Sequence, residues 1–197
     1  MGLTVEKCLQ AWTNSLRQMN AKADIVFFGD SLTYYGDFAS VFPEKVVCNL
    51  GLRGDTIQGL IDRVEQVKIL KPKVVYLMAG INDVARLTEV EFRSQYRQLV
   101  QDLGRTPLVI QSILPVNTED FTISCNNIQI KACNREIERI TKECGFDYID
   151  LYSLDVEDGL LPSMMTKDGI HLTKFAYCRW YDVLKQYLNS DRIRNSI

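Results

Sequence analysis

The chain has 197 residues, 46% of them apolar and 24% charged, a balance that excludes a disordered chain and fits a single domain over residues 1–197 with a sizeable core. Its 23 basic and 25 acidic residues leave a net charge of −2, with no basic run to track a phosphate backbone, so nucleic acid is not an expected partner. No segment approaches the roughly 18 uninterrupted apolar residues of a membrane span, and the amino terminus lacks a basic region followed by an apolar one, so a cytoplasmic location is expected.

A first helix is predicted after a cap at Thr4, with Val5, Cys8, Leu9, Trp12, Leu16 and Met19 on its apolar stripe. A strand over 25–28 then breaks into Gly29-Asp30-Ser31, followed by the aromatic-rich segment Tyr34-Tyr35-Gly36-Asp37-Phe38. Lys45 to Leu50 reads as a second strand, and its unalternating run Val46-Val47-Cys48 predicts burial on both faces, as in a parallel sheet. After Gly51-Leu52-Arg53-Gly54-Asp55-Thr56, the spacing of Ile57, Leu60, Ile61, Val64, Val67 and Leu70 predicts one helix, capped by Asp55 or Thr56 and stopped by Pro72. The Arg-Gly-Asp triplet inside that turn is explained by the cap and carries no adhesion reading.

Val74 to Gly80 is a third apolar strand, ending in Ile81-Asn82-Asp83. Thr88 and Glu91 form a capping box for a helix that turns Phe92, Tyr96, Leu99, Val100 and Leu103 inward and closes at Gly104. A fourth strand, 108–113, exits through Pro115-Val116-Asn117 into a polar loop over 118–127, whose length makes it a candidate for substrate contact. A helix over 128–144 stops at Gly145, and 146–150 is a short fifth strand. Irregular sequence runs to Asp168-Gly169-Ile170-His171, and Thr173 caps a last helix with Ala176, Tyr177, Trp180, Val183, Leu184 and Leu188 on its stripe. Strands alternating with helices predict a three-layer α/β domain around a five-stranded parallel sheet with right-handed crossovers.

In such a sheet all strands end along one rim, where ligands bind. Ser31, Gly54, Asn82, Asn117 and the Asp168–His171 segment each follow a strand exit. Acyl transfer to Ser31 needs a base and donors aimed at the developing oxyanion. His171 is the single histidine, so the base falls to it by elimination, and Asp168, three residues earlier, can hold the far ring nitrogen. The candidate oxyanion donors are the backbone N–H of Ser31, the backbone N–H of Gly54 and the side-chain amide of Asn82. Each residue has a plainer reading as well: Ser31 and Asn82 as helix caps, Gly54 as a turn, His171 as a satisfied polar side chain.

The six cysteines, at positions 8, 48, 125, 133, 144 and 178, lack the paired short spacing of zinc or redox sites. Most read as buried thiols, and none stands at a strand-to-loop break, which weighs against a cysteine nucleophile using His171. A metal site from Asp30, Asp168 and His171 is the further alternative.

Gly29-Asp30-Ser31-Leu32, Gly54-Asp55-Thr56, Gly80-Ile81-Asn82-Asp83 and Asp168-Gly169-Ile170-His171 resemble, in order, the four blocks of the SGNH hydrolase superfamily, also called GDSL esterases and lipases. The resemblance spans about residues 24–189. It implies a flavodoxin-like sheet, no metal or organic cofactor, Ser31 as nucleophile, Gly54 and Asn82 as oxyanion donors, His171 as base and Asp168 as its partner. Because the family spans many substrates, a small soluble ester with a short acyl chain, including O-acetyl groups on carbohydrate, is expected from the lack of a lid insertion. Lysophospholipase and thioesterase activities are alternatives within the family, and a flavodoxin-like binding module is the non-enzymatic one. Tyr34, with Tyr35 and Phe38, and Asn117 are candidates for walling the substrate pocket. The oligomeric state is left open, a homodimer included.

Overall fold

The computed structural model describes residues 5–154 and 159–189. Helix α1 (Val5–Gln18) precedes strand β1 (Ile25–Gly29), the short helix α2 (Ser31–Tyr34) and β2 (Val47–Gly51). Helices α3 (Ile57–Asp62) and α4 (Val64–Leu70) lead to β3 (Val74–Met78), then α5 (Glu89–Leu103), β4 (Leu108–Gln111), α6 (Asn127–Cys144), β5 (Asp147–Ile149) and α7 (Lys174–Asn189). The strands form one parallel sheet in the order β2-β1-β3-β4-β5, the α/β arrangement expected. β1 and β3 are buried at every residue, which is why they carry apolar side chains without alternation.

The helices divide between the two faces. α1 packs on α4, α3 and α4 pack on α5, and α5 packs on α6. Arg63, at the junction of α3 and α4, lies over the Phe28 ring, so this layer covers the Phe28 face of the sheet. On the other face Phe27 stacks on Phe38 and Tyr76, and Phe38 meets Trp180 of α7 edge-on. The caps expected from sequence form at Thr88, which makes its box with Glu91, and at Thr173, whose Oγ1 accepts from Ala176 N–H. Asn126 supplies a second capping box, with Gln129, for α6.

Three expectations are corrected. β2 is an edge strand with one neighbour, so Val47 and Cys48 are only half-buried, Val46 is 60% exposed, and Asn49 faces out to bind the carbonyls of Thr33 and Gly36. The helix read over 57–70 is two, because Arg63 leaves helical geometry (φ −123°, ψ 15°) as its side chain turns inward to an acidic partner. Met19 lies beyond the end of α1 and is 72% exposed, so it is not on the apolar stripe. Thr4 lies outside the described residues, as do the side chains of Val5, Cys8 and Leu9. No helix among the described residues is long and apolar enough to cross a membrane.

The end of α2 is held against the sheet by an absent side chain. A Cβ at Gly51 would stand 2.2 Å from the backbone nitrogen of Tyr34 and 2.5 Å from its Cα, contacts that require main-chain movement. Gly51→Ala is expected to destabilise the fold by about 1–3 kcal/mol. Thermal melting should show a midpoint several degrees below wild type; an unchanged midpoint would contradict the packing described.

Candidate active site

The apolar β1 ends at Gly29, and Asp30 caps α2 by accepting from Leu32 N–H at 2.9 Å through Oδ1. The cap is therefore Asp30, not Ser31, and the serine hydroxyl is left to another partner. Ser31 Oγ lies 2.9 Å from His171 Nε2. His171 Nδ1 lies 2.7 Å from Asp168 Oδ2, and Asp168 Oδ1 accepts from the backbone N–H of His171 at 2.8 Å and of Ile170 at 3.1 Å. Partial burial pushes the Asp168 carboxyl up, but donation from the backbone and ring of His171 and from Ile170 N–H outweighs it and holds the carboxyl below its usual range.

The segment carrying His171 is a tight turn. Thr166 Oγ1 donates to His171 O and accepts from Gly169 N–H, and Lys167 N–H also reaches His171 O. Gly169 takes φ +90°, and a Cβ there would collide with Ile123, Phe121 and the carbonyl of Asn117. From the other side, the Tyr177 hydroxyl of α7 donates to Leu32 O at 2.6 Å and pins α2. Tyr35, half-exposed, meets the His171 ring edge-on at 5.7 Å, and Tyr34 meets Tyr35 in the same way.

The other two strand exits arrive beside each other. Gly54 sits at φ +71°, a left-handed backbone that glycine adopts without penalty, with no atom of the described residues within 4 Å of its missing Cβ. Asn82 Nδ2 donates to the carbonyl of Asp55 at 2.8 Å, tying the Asn82 turn to the Gly54 turn. Thr56 is the α3 cap, while Asp55 is buried and paired with Arg63. Asp83, also buried, accepts from Ile57 N–H at 3.0 Å.

Two of the proposed substrate contacts are placed elsewhere. Asn117 is 3% exposed, and its side chain organises its own loop: Oδ1 accepts from Glu119 and Asp120 N–H, while Nδ2 donates to Asp120 Oδ2 and Ser163 Oγ. Its backbone N–H donates to Gly169 O, so it braces the Asp168–His171 turn from behind. Phe38 is 1% exposed within the core, which leaves Tyr34 and Tyr35 as the aromatic residues at the rim. Among the described residues no group of three His, Cys, Asp or Glu side chains converges as a set of metal ligands.

A model of the GDSL-like Lipase/Acylhydrolase family matches residues 27–179. The chain belongs to this family. It is accordingly an ester-hydrolysing enzyme, and the turns at Ser31, Gly54, Asn82 and His171 lie within the matched region. No curated protein matches the chain. Among solved structures, a Streptococcus pneumonia protein named for platelet activating factor aligns over 91% of this chain and 92% of its own, with a TM-score of 0.78 and 22% identity. A lipase/acylhydrolase from Enterococcus faecalis aligns over 83% and 94% respectively, with a TM-score of 0.74 and 22% identity. A variant of an acetyl-xylooligosaccharide esterase from Geobacillus aligns over 87% and 96%, with a TM-score of 0.70 and 19% identity. These likenesses establish the SGNH hydrolase fold.

Beneath the site of this GDSL-family enzyme lies a buried polar cluster that sequence reading did not identify. Arg63 and Asp83 belong to it, together with Asp30 and Asp55. The available signal was an arginine placed between Leu60 and Val67 on an otherwise apolar stripe. Burial, partly opposed by Leu32 N–H and reinforced by the nearby Asp55 and Asp83, pushes the Asp30 carboxyl up to about 7, and its Oδ2 has no hydrogen-bond partner among the described residues. Burial likewise raises Asp83 to about 6.

Because the folded pKa of Asp30 lies above the unfolded value of about 4, the folded state binds the extra proton between those limits. Its contribution to stability is therefore full below about pH 4 and is lost as pH rises toward about 7. Asp30→Asn keeps the acceptor for Leu32 N–H and removes the titration. Relative to wild type, the variant should gain roughly 2–4 kcal/mol of stability between about pH 4 and pH 8. Denaturant titrations at several pH values check this, and a difference independent of pH would contradict it.

Proposed function

We propose that the enzyme hydrolyses a small soluble carboxylic ester through an acyl-enzyme on Ser31. The carrying observation is the hydrogen-bonded chain from Ser31 Oγ through both nitrogens of His171 to Asp168. In the proposed reaction Ser31 Oγ attacks the carbonyl carbon and its proton passes to His171 Nε2. The resulting imidazolium is stabilised by Asp168, whose carboxylate also fixes the ring tautomer. The carbonyl oxygen, now an oxyanion, is received by the backbone N–H groups of Ser31 and Gly54 and by the second N–H of the Asn82 amide, its first being held by Asp55 O. Collapse of the tetrahedral intermediate breaks the bond to the alcohol oxygen, which takes the proton from His171. Water then enters, loses a proton to the same nitrogen and attacks the acyl carbon; the second tetrahedral intermediate breaks its bond to Ser31 Oγ, which takes that proton back from His171 as the acid leaves.

The short-acyl reading, with O-acetyl groups on carbohydrate as the preferred substrates, draws support from the fold shared with the acetyl-xylooligosaccharide esterase. The half-exposed Tyr35, edge-on to His171, and Tyr34, which meets Tyr35 in turn, offer ring faces and edges to a sugar.

Turnover of p-nitrophenyl acetate is the direct test. Ser31→Ala should reduce it to the rate in buffer, and wild-type kcat/KM should fall as the medium is acidified, since only neutral imidazole accepts the serine proton. Retained activity in Ser31→Ala, or a flat profile, would overturn the mechanism. Within a p-nitrophenyl ester series, kcat/KM should fall as the acyl chain lengthens; a maximum at a long chain would overturn the substrate reading and favour the lipid esters.

A further inference from the structure

Arg63 is among the largest fully buried side chains, although its stripe in the sequence is otherwise apolar. Its guanidinium is held on three sides. Nε and Nη2 both lie 2.7 Å from Asp55 Oδ2, Nη2 also donates to Gly29 O at 3.0 Å, and the group lies over the Phe28 ring with Cζ 4.5 Å from the centroid. Gly29 ends the strand that delivers Ser31, and its carbonyl also accepts from Leu52 N–H at 3.1 Å. Asp55 immediately follows Gly54. Its Oδ1 accepts from Thr56 N–H, and its carbonyl accepts from the Asn82 amide. One planar cation therefore joins the nucleophile strand to a turn that itself holds both other oxyanion donors.

Stability alone is a poor reason for this arrangement. A buried ion pair pays a desolvation cost that its own attraction barely offsets, and a well-packed apolar side chain is often as stabilising or more so. A methionine at this position would cover Phe28 without desolvating a charge. What it lacks is the fork of donors that fixes two backbone segments at a set separation.

We propose that Arg63 is the positioning residue of the oxyanion hole: clamped between the Gly29 carbonyl and the Asp55 carboxylate, it sets the distance from Ser31 to the Gly54 N–H and the Asn82 amide. The proposal rests on the reading of Gly54 and Asn82 as oxyanion donors given above. Arg63 touches no reacting atom; it acts through Asp55. Displacing donors that must meet an oxygen within about 2.7–3.1 Å weakens transition-state binding while leaving ground-state binding nearly intact.

The test uses Arg63→Met and Arg63→Lys in the full chain, with folding checked by thermal melting, and compares an oxoester with the matching thionoester. Sulfur accepts hydrogen bonds poorly, so the ratio of the two kcat/KM values reports the oxyanion hole rather than the amount of folded enzyme. Arg63→Met should lower kcat for the oxoester ~10²-fold with little change in KM, and the ratio should fall toward that of Asn82→Ala. Adding Asn82→Ala to Arg63→Met should cost much less than Asn82→Ala alone, as residues acting through one structure are non-additive. Arg63→Lys keeps the charge but loses the fork, and should show the same fall in ratio; it carries the test if the methionine variant does not fold. A wild-type ratio in either folded variant, or full additivity with Asn82→Ala, would overturn the proposal. Failure of the underlying reading looks different: there Asn82→Ala itself leaves the ratio unchanged, or Ser31→Ala retains activity.

Discussion

The site depends on how closely α2 can approach the carboxyl ends of β1 and β2. Gly29 and Gly51 are partners in the sheet register, and neither position has room for a side chain. A Cβ at Gly29 would lie 2.3 Å from Met78 O and from Thr33 Oγ1, while one at Gly51 would press into the backbone of Tyr34. Two glycines in register thus let the helix drop onto the sheet edge, with Asp30 capping it and Tyr177 fastening its far side through Leu32 O. Ser31, only 6% exposed, then meets His171 of the turn that comes across the rim. Neither side chain could be placed by its own loop alone.

The chemistry of the rim is supported from below by groups that are costly to bury. Burial pushes the Asp55 carboxyl up and the Arg63 guanidinium down, and each opposes the shift of the other. With three carboxyls and a single guanidinium in this small volume, full ionisation would leave uncompensated negative charge in a low-dielectric interior. Raised values at Asp30 and Asp83 are the physical response, because a protonated carboxyl avoids that penalty. The cluster serves geometry more than stability: it joins Gly29, Asp55 and Ile57, and through Asp55 it reaches Asn82.

Much of this was legible in the sequence because it is written in local patterns. The unalternating run of Ile25 to Phe28, the helical stripes of α5 and α7, and the Thr88–Glu91 box each state their structure within a few residues. Four short blocks, three at the exits of β1, β2 and β3 and one in the turn before α7, mark Ser31, Gly54, Asn82 and His171 in the sequence. What escaped was set by long-range geometry. Val46 to Cys48 has the composition of a central strand, and only the sheet order makes it an edge. Phe38 and Tyr35 stand three residues apart in one aromatic segment, yet one stacks on Phe27 in the core and the other meets His171 at the surface. Asn117 follows a strand exit like the others, but its amide is consumed by its own turn. Arg63 interrupts a helical pattern for a partner that the periodicity does not reveal.

The central claim is that Ser31 is the nucleophile and His171 its base. Treatment with a fluorophosphonate, followed by peptide mass spectrometry, tests it most directly, because such reagents phosphonylate a serine only when a base and an oxyanion site activate it. The account predicts a single adduct on the peptide containing Ser31, formed in step with loss of esterase activity and strongly slowed in His171→Ala. An adduct on a different residue, or inactivation-resistant turnover with Ser31 unmodified, would contradict it.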